Sequence, residues 1–255
     1  MCNIPVWSIV PKALTDDSGY DYGIDTPNNT SPNGLAVINV SGVLGKQTGD
    51  YGYVDVDDIN AALAKAVSDP TVSSILLVFN SPGGDVTGIP ELGTTIAQAT
   101  QTKPVYAFTD TVCCSAAYWL ASNTNGIFAT PSSCIGSIGV FAIYEDHTKA
   151  IADAGVTLNI FSAGTYKLLG SPFKPMTDDE KAIIQGEVDK TYANFKAVVG
   201  ANRGISDDVM QGQVFSGDEA LANGLCDMLV NDVSEVLAML DTPAVLDTPA
   251  QNNNA

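Results

Sequence analysis

Strand-like and helix-like segments alternate through most of the chain, which predicts an α/β fold with a largely parallel sheet and flanking helices. Two observations carry that prediction. Ser74–Phe79 (SILLVF) is a continuous apolar run without alternation, the pattern of a strand buried on both faces. Asp57–Val67, just before it, has helical periodicity and an acidic start.

The other elements follow in order. Residues 1–34 are rich in Pro, Asn, Asp, Thr and Gly and read as an extended arm. The first strand is expected at Leu35–Val40, ended by Ser41-Gly42. Asn80–Gly84 (NSPGG) reads as a turn. A helix over Glu91–Thr100 and a strand at Val105–Phe108 come next. Ser115–Ala121 reads as a helix of small residues, Ile127–Ala129 as a brief strand, and Ile135–Val140 as a glycine-punctuated loop entering a strand. Lys149–Ala154 is an expected helix, Thr157–Phe161 a strand and Ser162–Phe173 a loop. A long helix is expected from Thr177 to about Ala201, with Asp178, Asp179 and Glu180 at its positive end. Shorter helices are expected at Ser216–Asn223 and Val233–Leu240. Residues 241–255, with LDTPA in the stretch 240–250 twice over, read as a flexible tail. One domain, 35–240, therefore lies between an arm and a tail.

Composition narrows the function. The 255 residues are 45% hydrophobic and 16% charged, enough for a sizeable core. A formal charge of -18, with eleven basic residues in all, argues against nucleic-acid binding, which needs clustered Lys and Arg. Five cysteines without a C-x-x-C pair suggest neither a disulfide framework nor a zinc site, and fit reduced thiols in a cytosolic setting. The N-terminus lacks the pattern of a secretory signal, and no run of about 18 apolar residues predicts a membrane span. No metal, cofactor or membrane partner is expected.

The chemistry has to come from a small set of residues. The single histidine, His147, sits in a polar stretch that reads as a surface turn, so a histidine-based triad is disfavoured. A hydrolase without histidine can pair Ser with Lys, provided that burial keeps the amine neutral, below its usual pKa of ~10.4. Lys167 has the apolar neighbours Tyr166, Leu168, Leu169, Pro172 and Phe173. Ser115 begins a helix-like run, where unpaired N–H groups favour an oxyanion. Gly83-Gly84 follows a buried strand and allows close approach of the backbone to a ligand. Taken singly, each has an ordinary reading: an exposed loop lysine, a helix N-cap serine, a tight turn.

Together these segments resemble the signal peptide peptidase A family of serine peptidases, in the Clp protease/crotonase fold superfamily. The likeness runs from about Leu35 to Leu240 through LAVINVSGVL, SILLVFNSPGGDV, CCSAAYWLAS, CIGSIGV, FSAGTYKLLGSPF and FSGDEALANGLCD. It implies a layered Clp/crotonase-like fold, with Ser115 as nucleophile, Lys167 as general base and Ser137 orienting the amine. Backbone N–H groups of Gly83, Gly84 and Ala116 would hold the oxyanion. It also implies a homo-oligomeric ring or bowl. A single peptidase unit without a membrane anchor is most similar to the capsid-maturation proteases of tailed phages. Their substrates are scaffold, portal or coat proteins, in the host cytoplasm within the prohead. The alternatives are a soluble bacterial peptidase of signal-peptide remnants or cytosolic peptides, an acyl-CoA enzyme of the same fold, a non-catalytic shell component, and a cysteine peptidase using Cys113 or Cys114 with His147. Self-trimming near Ala244 or Ala250 is a further expectation.

Overall fold

The computed structural model of the chain describes residues 6–9, 34–46 and 53–240. In chain order the strands are β1 Val6–Ile9, β2 Leu35–Ser41, β3 Val43–Gly45, β4 Tyr53–Asp55, β5 Ser74–Asn80, β6 Gly83–Asp85, β7 Val105–Thr109 and β8 Val112–Cys114. They continue with β9 Gly126–Ala129, β10 Cys134–Gly136, β11 Phe141–Ala142, β12 Val214–Ser216 and β13 Met228–Leu229. The helices are α1 Val56–Ser68, α2 Ile89–Ala99, α3 Ala116–Ala121, α4 Thr148–Asp153, α5 Asp178–Arg203, α6 Gly217–Ala222 and α7 Val233–Leu240.

The central sheet runs β13-β9-β7-β5-β2, and every pairing in it is parallel. Side chains alternate across a strand, so a sheet covered on both faces should send odd and even positions into different cores. The packing shows that split. Ile38, Val40, Ile75, Leu77, Phe79 and Ala107 join the larger core with α1, α2 and α3. Leu35, Leu76, Phe108 and Phe128 join a smaller core with Val236 and Leu240 of α7. Helix α1 starts where Asp55 Oδ1 accepts from the Asp57 N–H at 2.9 Å, and buries the stripe Val56, Ile59, Ala62, Leu63, Ala66.

Two smaller sheets stand beside the central one. The order β12-β10-β8 carries the segments around Ser115 and Ser137, and β11-β1-β6-β3-β4 carries Gly83-Gly84. The expected turn at Asn80–Gly84 is thus replaced by a strand in its second half. Ser81 bridges Cys113, and β6 then pairs with β3 on one side and β1 on the other. The arm predicted for 1–34 contains one strand, β1. The rest of it, apart from Gly34, lies outside the described residues, as do the tail 241–255 and the trimming sites at Ala244 and Ala250.

A different regime begins after Ile138. Among the described residues of 139–194, Glu180 is the one buried residue. The strand expected at Thr157–Phe161 does not form there. Its apolar residues Leu158, Ile160 and Phe161 are exposed, Phe161 at 94%, so the segment has no packed face to stabilise an extended ladder. Helix α5 rises from a capping box between Thr177 and Glu180, and the buried Glu180 carboxylate also pairs with Lys174 at 2.5 Å. The far end of α5 returns to the core. Phe195 stacks on Trp119 with ring centroids 4.6 Å apart, and Arg203 holds Asp227 at 2.8 Å.

Candidate active site

Ser115 stands at the reversal between β8 and α3. Its backbone has φ 56 and ψ -122, a strained conformation for a residue with a Cβ, and such strain is kept only where the surroundings over-determine it. The surroundings here do so. The Ser115 N–H donates to Gly136 O at 2.8 Å, and Ser115 O accepts from the Trp119 N–H at 2.9 Å. All six residues of α3 are buried, and the Tyr118 hydroxyl donates to Leu225 O at 2.9 Å. The helix that follows the serine is therefore fixed against the core. The N–H groups of its first turn have no acceptor within the helix. Ser115 itself is 1% exposed.

Ser137 lies next to it by register. Parallel strands β8 and β10 pair Cys114 with Gly136, so Ser115 and Ser137 each follow a paired residue. Ser137 also has positive φ, at 53, and its N–H donates to Gln213 O at 2.6 Å. Gly83 and Gly84 come in from the other side of β8. The Ser81 N–H donates to Val112 O at 2.8 Å, and the Cys114 N–H donates to Ser81 O at 3.1 Å. Gly83 has φ 99, and its N–H donates to Ser81 Oγ at 3.2 Å. A Cβ on Gly84 would sit 1.9 Å from Leu44 O, so only glycine fits between β6 and β3. Ser115, Ala116, Ser137, Gly83 and Gly84 thus form one packed cluster at the ends of β8, β10 and β6.

Lys167 is not in that packed cluster. It is exposed, on a turn in residues 139–194, which form a second arm distinct from the one expected at 1–34. The apolar surround expected for it is not supplied by the described residues: Tyr166 is 55% exposed and Phe173 is exposed, while Leu168, Leu169 and Pro172 are half-buried. A shallow groove of about 280 Å³ on the same arm is lined by Ser162, Tyr166, Leu168, Lys174 and Glu180, and none of the Ser115 cluster lines it.

The remaining candidates separate cleanly. His147 is exposed at the start of α4, 2.8 Å from Glu145 Oε2, on the arm and not in the cluster. Cys113 and Cys114 are both buried beside Ser115. Burial pushes the Cys114 thiol up to about 12, with Cys134 adding to the rise, and drives Cys113 well above its usual range. Both are therefore neutral thiols at ordinary pH, which disfavours the cysteine-peptidase alternative. Among the described residues no cluster of His, Cys, Asp and Glu is arranged for a metal ion. None of their helices is long and apolar enough to cross a membrane.

Sequence reasoning missed β8 and β6, which aim the site. A signal was present. Val112-Cys113-Cys114 is a short apolar run just before the serine, and the glycine pair is what a strand crossing another backbone closely requires.

A family model for peptidase family S49 matches residues 97–245, which include Ser115, Ser137 and Lys167. The chain belongs to peptidase family S49. Among curated S49-related proteins, it is 35% identical over 216 residues to the capsid assembly protease C of Escherichia phage lambda, covering 82% of this chain and 49% of that protein. It is 32% identical over 217 residues to the head-tail preconnector protein GP5 of Enterobacteria phage P21, covering 82% and 43%. Protease 4 of Salmonella typhi matches at 30% identity over 88% of this chain and 37% of that protein. The chain thus spans about half or less of the length of these relatives. Among solved structures, a 1510-N membrane-bound stomatin-specific protease S97A mutant shares the fold at TM-score 0.52 and 14% identity, covering 80% of this chain and 82% of that one.

Proposed function

We propose that this S49 chain is a serine endopeptidase with Ser115 as nucleophile and Lys167 as general base, acting on the head proteins of a tailed phage. The observation that carries the catalytic half is the strained, buried Ser115, held at a strand-to-helix reversal among two glycines and a second serine. In the proposed reaction the Lys167 amine takes the Ser115 hydroxyl proton as Oγ attacks the peptide carbonyl carbon. The oxyanion is met by the Ala116 N–H and by Gly83 or Gly84, with the Gly83 N–H leaving Ser81 Oγ to do so. The Lys167 ammonium then protonates the leaving amine, and water hydrolyses the acyl-enzyme. Ser137 orients the amine.

Lys167 has to be desolvated to act as a base, and the described residues leave it exposed. A homo-oligomer resolves this. Packing of a second copy on the arm would cover Ile143, Val156, Leu158, Ile160, Phe161, Tyr166 and Phe173, an apolar array unusual for a free surface. The substrate half of the proposal is supported by the phage lambda and P21 relatives, and it puts the work at capsid assembly in the host cytoplasm. The resemblance to Protease 4 of Salmonella typhi supports a second reading, a cellular peptidase acting on signal-peptide remnants or other peptides. Terminase, portal and coat genes beside the coding sequence favour the first reading, and their absence favours the second.

The test is to treat wild type, Ser115→Ala and Lys167→Ala with a fluorophosphonate probe and with a disordered protein substrate. Labelling and cleavage by wild type alone, with all three folded and equally assembled, support the dyad. Equal behaviour of the three assembled proteins rules it out.

A further inference from the structure

Strand β1 lies between β6 and β11 and is antiparallel to both. Its substantial contacts among the described elements are with those two strands. Neighbouring strands sit about 4.8 Å apart, so β6 and β11 flank a slot one strand wide, about 10 Å across. Both walls belong to the candidate site. One is the Gly83–Asp85 strand, and the other begins four residues beyond Ser137. The register gives β1 a direction: Trp7 faces Asp85, Ser8 faces Gly84 and Ile9 faces Gly83. On the other side Val6 faces Ala142 and Trp7 faces Phe141. Gly83 is the end of β6 nearest Ser81, which bridges Cys113 two residues before Ser115. The C-terminal end of β1 therefore points toward the nucleophile.

We propose that residues 6–9 are an intramolecular occupant of the groove that takes this protein's substrate, and that they must leave before another chain can enter. The ligand class follows from the pairing. A strand held on both sides by main-chain hydrogen bonds is recognised by its extended backbone, so the groove takes unfolded or flexible polypeptide segments. The occupancy stands on the strand order alone. Its consequence for turnover rests on the peptidase reading.

The experiment uses the full chain in a Ser115→Ala background, so that nothing is cut. Trp7→Pro removes an N–H and fixes φ near -65°, and neither suits a strand paired on both edges. A fluorescein-labelled peptide copying residues 4–11 is titrated by anisotropy, and hydrogen exchange is followed over 83–85. The Trp7→Pro chain is expected to bind the peptide at least about ten-fold more tightly than its parent, with faster exchange at 83–85 that slows again on saturation. Replacing 6–9 by Gly-Ser-Gly-Ser should give the same contrast. Equal peptide binding by all three proteins, or unchanged exchange, overturns the proposal. With Ser115 restored, Trp7→Pro should cleave a disordered protein several-fold faster. If every chain is inert while the binding contrast persists, the peptidase reading falls and the occupancy stands.

Discussion

Residues 34–138 and residues 139–194 have similar shares of hydrophobic residues, the second with about twice the share of charged ones, and behave as different kinds of structure. In the first region each strand of the central sheet sends alternate residues into two cores, and the Ser115 reversal is locked by hydrogen bonds at 2.8 and 2.9 Å. In the second, Glu180 is the one buried residue among those described, and Phe161 is 94% exposed. The two halves of the proposed dyad fall on opposite sides of that divide. A nucleophile can be prepared by intrachain packing. A lysine base needs a dry environment, and the described residues do not supply one around Lys167.

Removing either half of the dyad should have the largest effect. Ser115→Ala is expected to lower the rate of cleavage by about 10³-fold or more, and Lys167→Ala by about 10²–10⁴-fold, both measured on assembled protein. Next comes the arm. Phe161→Asp puts a charge in the proposed contact between copies and should reduce assembly and activity together, by about ten-fold or more, while leaving the far-UV circular dichroism unchanged. Such a variant that stays assembled and active would remove the reason for assigning the arm to an interface.

Gly84→Ala probes the packed side of the comparison. Its Cβ would meet Leu44 O at 1.9 Å, so the unfolding free energy should fall by about 1–3 kcal/mol in urea. The thiols give a pH-dependent contrast. Only the thiolate alkylates, and Cys114 ionises near 12, so iodoacetamide at pH 8 should modify the exposed Cys134 and spare Cys113 and Cys114. Peptide mapping reads this, and labelling of Cys114 should grow only as pH rises toward 12. Activity should survive the treatment. The smallest effect concerns strain. Ser115→Gly removes the Cβ from a residue at φ 56 and should raise stability by about 1 kcal/mol while abolishing cleavage.

The parts of the fold that were legible in the sequence are those governed by local pattern. Val233–Leu240 matches its expected helix, and β5, α1 and α5 differ from expectation by a residue or two at their ends. Short strands β3, β6 and β8 were not legible, because three residues carry no periodicity and their pairing is set by partners far along the chain. Strand β1 hid in a segment whose Pro, Asn and Gly content reads as a loop. Gly83-Gly84 was read from the glycine pair itself and Ser115 from the helix-like run it opens, whereas Ser137 entered only through the family resemblance; the positive φ of both serines is visible only in the structure. The surroundings of Lys167 were misjudged for a physical reason. Apolar neighbours in sequence imply burial only if something packs on them, and among the described residues nothing does so fully.

The contrast between core and arm is tested most directly by activity per chain across a dilution series, with assembly followed by sizing in the same samples. Cleavage per chain should rise with concentration in step with assembly, and should vanish where the protein is monomeric. Full activity in a chain that is monomeric throughout the series would contradict the assignment of the Lys167 arm to a contact between copies.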